Sequence, residues 1–215
     1  MASSLAAQAL RLRRIAPPSI KYTARLLRYI FAPPSVGSLS LDQDLVRECR
    51  VVACRETLLS KLPTSGVVGE IGVWKGEFSK KILEITQPKE LHLFDMDFSI
   101  CKDEIKDTPN VFMHEGNSSD SLLDLPPATF DWLYVDGDHS YEGVLADIDA
   151  AVPLLKPSGF LVFNDYAHIS PNSLGTFGVH RAVTEFVCRE RWPLVYLAWQ
   201  TNGLYDVAIQ RPDVQ

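Results

Sequence analysis

The sequence predicts an α/β domain of the doubly wound class, with a mostly parallel sheet closed by a C-terminal hairpin. Three observations predict it. Short apolar, strand-like runs alternate with segments of helical period. The run Phe160-Leu161-Val162-Phe163 is apolar throughout, as a strand covered on both faces requires. Two final apolar runs are separated by a turn containing Asn202-Gly203, a strong hairpin signal.

The elements follow in order. Leu41 to Leu62 is helix-compatible, and Pro63-Thr64-Ser65-Gly66 stops it. Val67–Ile71 reads as a buried strand, followed by a glycine-rich turn and a helix through Ile85. Leu91–Asp95, Val111–His114 and Phe130–Asp136 are the next strands. Val144, Leu145, Ile148, Ala151, Val152 and Leu155 then form one apolar helical stripe, ended by Lys156-Pro157-Ser158-Gly159. Phe160–Phe163 is the fifth strand. Val179, Ala182, Val183, Phe186 and Val187 mark a last helix before the hairpin strands Leu194–Trp199 and Leu204–Ile209. Strands alternating with helices imply parallel pairing through right-handed crossovers, and the hairpin makes the last strand antiparallel.

The 215 residues suit one domain with a short extension. With 46% hydrophobic and 22% charged residues, the chain can build an ordinary core. No apolar run reaches the roughly 18 residues of a membrane span, so no transmembrane segment is expected. A net charge of -6 argues against general nucleic-acid binding. The charge is uneven. Before Asp42 stand Arg11, Arg13, Arg14, Lys21, Arg25 and Arg28 and no acid; all 27 acidic residues follow. A basic N-terminal extension, 1–40, therefore precedes an acidic domain, 41–215. In the extension, Lys21, Arg25 and Arg28 share a helical face between Pro17-Pro18 and Pro33-Pro34. It reads as a helix packed on the domain, a mitochondrial or plastid transit segment, or a contact for an anionic surface. Cys49, Cys54, Cys101 and Cys188 form no CxxC pair, which favours a reducing, cytoplasmic setting. A homo-oligomer is compatible with the sequence.

The first strand runs into Glu70-Ile71-Gly72-Val73-Trp74-Lys75-Gly76. Glycines at the head of a sheet allow a cofactor to approach the backbone, or a tight turn to pack closely. A dinucleotide fingerprint, as a nicotinamide dehydrogenase needs, would read GxGxxG. Here the pattern is acid-x-Gly-x-x-x-Gly, and the acid suits a cationic ligand better than a diphosphate. S-adenosylmethionine carries an ammonium and a sulfonium and no phosphate. Asp95 ends the second strand, where a carboxylate can accept ribose hydroxyls. Asn117 and Ser118 follow the third strand, where they can bond an adenine edge or cap a helix.

Two further strand ends carry chemistry. Asp136 ends the fourth strand, and Asn164 and Asp165 end the fifth. These strands should be neighbours, so the three residues converge. Two carboxylates and an amide oxygen form a hard set suited to Mg²⁺, unless Asn164 and Asp165 merely cap the loop and Asp136 touches only the cofactor. His139, three residues after Asp136, is a candidate general base; the bland reading is that Asp138-His139-Ser140 opens a helix. Tyr141, Tyr166 and Trp74 can shape an acceptor pocket or simply pack.

The segments EIGVWKGEFS, FDMD, EGNSSDSL, DWLYVDGDHSYEGVLADI, LLKPSGFLVFNDY and GVHRAVTEF occur in this order. Together they resemble the class I S-adenosylmethionine-dependent methyltransferase superfamily, from about Leu41 onward. Within it the chain is most similar to the small family related to macrolide and sugar O-methyltransferases, and more distantly to catechol O-methyltransferases. The resemblance implies a Rossmann-like, seven-stranded sheet with an antiparallel last strand. It implies Glu70, Gly72 and Gly76 at the methionine end, Asp95 on the ribose, Asn117 and Ser118 beside the adenine, and Asp136 near the cofactor. It further implies Mg²⁺ on Asp136, Asn164 and Asp165, with His139 as base. Catechol types carry Asp-Asn where this chain has Asn164-Asp165, and macrolide types Glu-Asp. Where catechol types place a hydroxyl, this chain has Phe78, with Ser79 next.

The expectation is an S-adenosylmethionine-dependent, magnesium-assisted O-methyltransferase acting on a small hydroxylated molecule. Acceptor recognition falls to the Ala167–Phe177 loop or the N-terminal arm. The alternatives are a metal-independent N- or C-methyltransferase, and a non-catalytic protein that binds S-adenosylmethionine or S-adenosylhomocysteine.

Overall fold

A computed structural model describes Thr23, Leu27, residues 39–170 and residues 175–213. The basic helical face expected in Ser19–Ala32 and the tip of the Ala167–Phe177 loop lie outside the described residues.

The elements are α1 (Gln43–Val46), β1 (Arg50–Val52), α2 (Arg55–Leu59), β2 (Val67–Ile71), α3 (Glu77–Thr86), β3 (Glu90–Asp95), α4 (Asp103–Lys106), β4 (Val111–Glu115), α5 (Ser118–Leu123), β5 (Phe130–Val135), α6 (Tyr141–Ala151), β6 (Leu155–Phe163), α7 (Val179–Glu190), β7 (Leu194–Trp199) and β8 (Tyr205–Gln210). One sheet holds eight strands in the order β1-β7-β8-β6-β5-β2-β3-β4. β8 runs antiparallel to both β6 and β7, and the other pairings are parallel. Strand order reverses between β2 and β5, the place where doubly wound sheets bind ligands beyond the strand C-termini.

The sheet has one strand more than the seven expected. The added strand is β1, inside the stretch read as helix from Leu41 to Leu62. The β-branched pair Val51-Val52 favours extended backbone. The open edge of β7 supplies the partners, with Val51 opposite Leu197. The helix therefore breaks into α1 and α2.

Alternation along the strands sorts the core onto two faces. Leu133 and Val135 point into a cluster with Leu122 of α5, Ile148 of α6 and Val183 of α7. Trp132 and Tyr134 point the other way, with Leu58 of α2, Ile82 of α3 and Ile105 of α4. Trp132 is fully buried, and its indole N–H donates to the Pro63 carbonyl at 3.0 Å. Burying each large side chain of this kind contributes about 1.5–3 kcal/mol.

Register places the chemistry on the α2–α3 face. Glu70, Tyr134, Val162 and Ala208 lie side by side across β2, β5, β6 and β8. Stepping two residues along a strand keeps the same face, so Asp136, Asn164 and Asp206 share it with Glu70.

Candidate active site

A crevice of about 760 Å³ opens at the switch point between β2 and β5. Glu70, Gly72, Asp95, Asn117, Ser118 and Asp136 line it. Gly76 starts α3 just behind the turn, at φ +76°.

The glycine turn is shaped by the protein's own backbone. Gly72 has φ +85°, and a Cβ there would lie 2.1 Å from the Asp136 carbonyl oxygen. The Gly72 N–H donates to Phe94 O at 2.8 Å, and the Asp136 N–H to Ile71 O at 2.7 Å. Only glycine permits this approach of the β2 and β5 ends. Asp95 ties the turn from β3: its Oδ2 accepts the N–H groups of Val73 (2.7 Å) and Trp74 (2.9 Å). Its Oδ1 accepts the Asp97 N–H at 3.2 Å; a carboxylate offers about four acceptor sites, so Asp95 retains capacity for a ribose hydroxyl.

At the far end, Asn117 Oδ1 accepts the Ser119 N–H at 3.0 Å and caps α5. Ser118 Oγ donates to Asp147 Oδ1 at 2.6 Å. Both side chains thus hold the crevice wall while lining it. Asp147 is a lining residue the sequence reading missed; an acid beside Ile148, three residues after Val144, on a buried helical face was its signal.

At the near end, Glu70 is 1% exposed. Burial pushes its carboxyl up to about 8, against the pull of a hydrogen bond from Ser79 Oγ at 2.5 Å. Ser79 therefore turns inward, and Phe78 takes the crevice wall. Phe78 packs on Tyr134, with ring centroids 4.3 Å apart, and the Arg55 guanidinium lies over the Phe78 ring at 4.9 Å.

Beside Glu70 the strand ends bring the remaining candidates together. His139 Nδ1 lies 3.0 Å from the Gly137 carbonyl oxygen, so Nδ1 carries the proton and donates. Nε2 then faces Asn164 Oδ1 at 3.4 Å, Asp136 Oδ1 at 3.6 Å and Asp165 Oδ2 at 3.6 Å. Four lone-pair atoms meeting in this way require a proton or a cation among them. Burial pushes Asp136 up to about 8, with Asp165 and Asp206 adding to the rise and Arg55 opposing it. Burial also raises Asp165, which His139 partly offsets. Asp165 adopts φ +53°, a conformation few non-glycine residues take. Among the described residues, no three His, Cys, Asp or Glu side chains form a metal cage by themselves; the expected magnesium set depends on the Asn164 amide oxygen.

That amide is oriented by groups the sequence reading did not include. Asn164 Nδ2 donates to Tyr134 Oη and to Asp206 Oδ1, each at 3.2 Å. The Tyr134 hydroxyl donates to Asp206 Oδ2 at 2.6 Å. Gln200 Nε2 donates to Asp165 Oδ1 at 3.2 Å and also to Asp206. Arg55 Nε lies 3.5 Å from Asp206 Oδ2. An acid inside an apolar strand was the signal that could have found Asp206. Arg55 carried no signal, because it lies in the stretch read as plain helix.

Other candidates do structural work. Ser140 Oγ accepts the Gly143 N–H at 3.0 Å and caps α6, and the Tyr141 hydroxyl donates to Glu185. Tyr166 hydrogen-bonds Thr184 at 2.8 Å. Trp74 is 61% exposed at the crevice mouth. No helix among the described residues is long and apolar enough to cross a membrane.

Comparison with known proteins agrees with this fold. Residues 70–166 match a family model described as a methyltransferase domain. No curated protein matches the sequence. Among solved structures, the O-methyltransferase from Bacillus cereus in complex with SAH is similar at 14% identity and a TM-score of 0.58, covering 96% of this chain and 97% of that one. The N-methyltransferase NodS from Bradyrhizobium japonicum WM9, in complex with S-adenosyl-L-homocysteine, is similar at 17% identity and a TM-score of 0.53, covering 90% and 99%. The pyocyanin biosynthetic protein PhzM is similar at 15% identity and a TM-score of 0.54; the match covers 69% of this chain and only 51% of PhzM. At such identities these likenesses bear on the fold. The chain therefore has a Rossmann-like methyltransferase fold, with residues 70–166 matching the methyltransferase-domain model.

Proposed function

We propose that this protein transfers a methyl group from S-adenosylmethionine to a hydroxyl oxygen of a small molecule. The observation that carries this reading is the position of His139 Nε2. It lies 3.6 Å from Oδ1 of the crevice-lining Asp136, with its other nitrogen held by a backbone carbonyl. When bound, S-adenosylmethionine supplies an electrophilic methyl, and the protein supplies orientation and electrostatics. Glu70 would hold the ammonium, and Asp95 the ribose. His139 Nε2 takes the proton as the acceptor oxygen attacks.

The convergence of Asp136 Oδ1, Asn164 Oδ1 and Asp165 Oδ2 around one point supports a divalent cation there. The set is made of hard oxygens, and Arg55 and His139 offset its charge only in part. If bound, magnesium would be held by Asp136, Asn164 and Asp165 and would supply Lewis acidity toward the acceptor oxygen.

Calorimetry with S-adenosylhomocysteine, followed by methyl transfer to a panel of small alcohols and phenols, tests the reading. Binding by the wild type, with turnover reduced by about 10²–10⁴-fold in His139→Gln, supports it. A wild type that binds no S-adenosylhomocysteine, or a His139→Gln variant with unchanged turnover, overturns it. Chelator that abolishes turnover, with magnesium restoring it, supports the metal; chelator-insensitive transfer removes it.

A further inference from the structure

The crevice is short of positive charge. Glu70, Glu77, Asp95, Asp136, Asp138 and Asp147 all line it, whereas Arg55 is the one Lys or Arg among its described lining residues. That balance suits a ligand carrying an ammonium and a sulfonium. The same ligand also carries a carboxylate, attached to the carbon that bears the ammonium. If Glu70 takes the ammonium, the carboxylate must settle a few ångströms away, and it needs strong donors there.

The neighbouring side chains leave few choices. Ser79 is fully buried and its hydroxyl is committed to Glu70. Lys75 lies over the Trp74 ring at 4.5 Å, and Lys102 pairs with Glu77 at 3.4 Å; neither lines the crevice. Arg55 does. Phe78 supports its guanidinium from below, and Asp206 holds it through Nε at 3.5 Å. Among the described residues Asp206 is its one ion-pair partner, with Asp136 and Asp165 acting on it from farther away. A guanidinium held by Nε keeps its planar fork for a second carboxylate. The side chain is 26% exposed, so water screens the contact only partly.

We infer that Arg55, held by Asp206 and Phe78, anchors the carboxylate of the methionine moiety of S-adenosylmethionine. This rests on the proposed cofactor reading and gives the carboxylate a partner in a chain that carries Phe78 where catechol types place a hydroxyl. The anchor comes from α2, ahead of the first strand of the family-matched stretch, and its support comes from β8, at the other end of the chain.

The experiment compares three ligands by calorimetry: S-adenosylhomocysteine, its decarboxylated analogue and 5′-methylthioadenosine, which lacks the amino-acid tail. Wild type should prefer S-adenosylhomocysteine over the decarboxylated analogue by about 10- to 100-fold, the range for a charge-assisted hydrogen bond. In Arg55→Met that preference should collapse to about threefold or less, with 5′-methylthioadenosine affinity unchanged. A preference retained in Arg55→Met, or absent in wild type, overturns the assignment. Should Arg55→Met fail to bind 5′-methylthioadenosine, Arg55→Lys decides. It keeps the charge and loses the fork, so its preference must fall several-fold, and an undiminished preference overturns the assignment. A wild type that binds none of the three ligands overturns the cofactor reading itself, and this inference with it.

Discussion

Asn164 donates its side-chain amide to Asp206 Oδ1 at 3.2 Å, joining the end of β6 to the start of β8. Because β8 runs backward, its first residues meet the C-terminal ends of the parallel strands, where the candidate site lies. Asp206 is fully buried and can only accept while ionised. It therefore takes the amide N–H, and Asn164 Oδ1 is turned toward His139.

Removing Asp206 should be costly. Asp206→Ala leaves Tyr134, Asn164 and the partly buried Arg55 without their shared acceptor. Breaking a buried charged network typically destabilises by about 3–5 kcal/mol. Urea unfolding of the variant against wild type measures it. A loss under about 1 kcal/mol, the ceiling for an exposed ion pair, would show that the network contributes little.

Gly72→Ala should damage the crevice without removing a polar group. The new Cβ would meet the Asp136 carbonyl oxygen at 2.1 Å, in a backbone conformation that L side chains rarely adopt. Strain of this kind costs about 1–3 kcal/mol before the clash is counted. The β2 and β5 ends must separate, so both thermal stability and S-adenosylhomocysteine affinity should fall. A crystal structure of the variant with the Gly72–Asp136 contact unchanged would contradict this.

Glu70 gives the apo protein a pH dependence of known sign. Burial raises its carboxyl from the usual 4.5 to about 8. Below the lower value it is protonated in both folded and unfolded chains. Between the two values the unfolded chain ionises first, so stability falls as pH rises; above the upper value the loss levels off. Glu70→Gln removes this titration and keeps a neutral side chain of similar shape. The variant should gain stability relative to wild type from about pH 4.5 to about pH 8, then hold a constant advantage. Urea midpoints of both proteins across that range check it, and parallel curves would refute it. The same substitution should weaken S-adenosylhomocysteine binding, since the amide cannot pair with the ammonium ionically.

The doubly wound sheet, its antiparallel closure and most element positions were determined by local pattern. Val67–Ile71 and Leu194–Trp199 were legible to the residue, because buried strands are apolar runs bounded by turn residues. The strand-end residues Asp95, Asp136, Asn164 and Asp165 were legible for the same reason: once the strands are known, their C-terminal ends are known. What depends on distant partners was not legible. β1 exists because the edge of β7 was open to it, and that edge is about 145 residues away in sequence, well beyond any local pattern. The Asn117 cap of α5 was legible as a local reading, but only packing decided that Ser79 and Ser118 bond Glu70 and Asp147. Arg55 and Asp206 come from opposite ends of the domain and meet through reversed pairing of β8. Hydrogen bonds and ion pairs act over a few ångströms of space, whatever the separation along the chain, so tertiary structure alone could bring these two to the site.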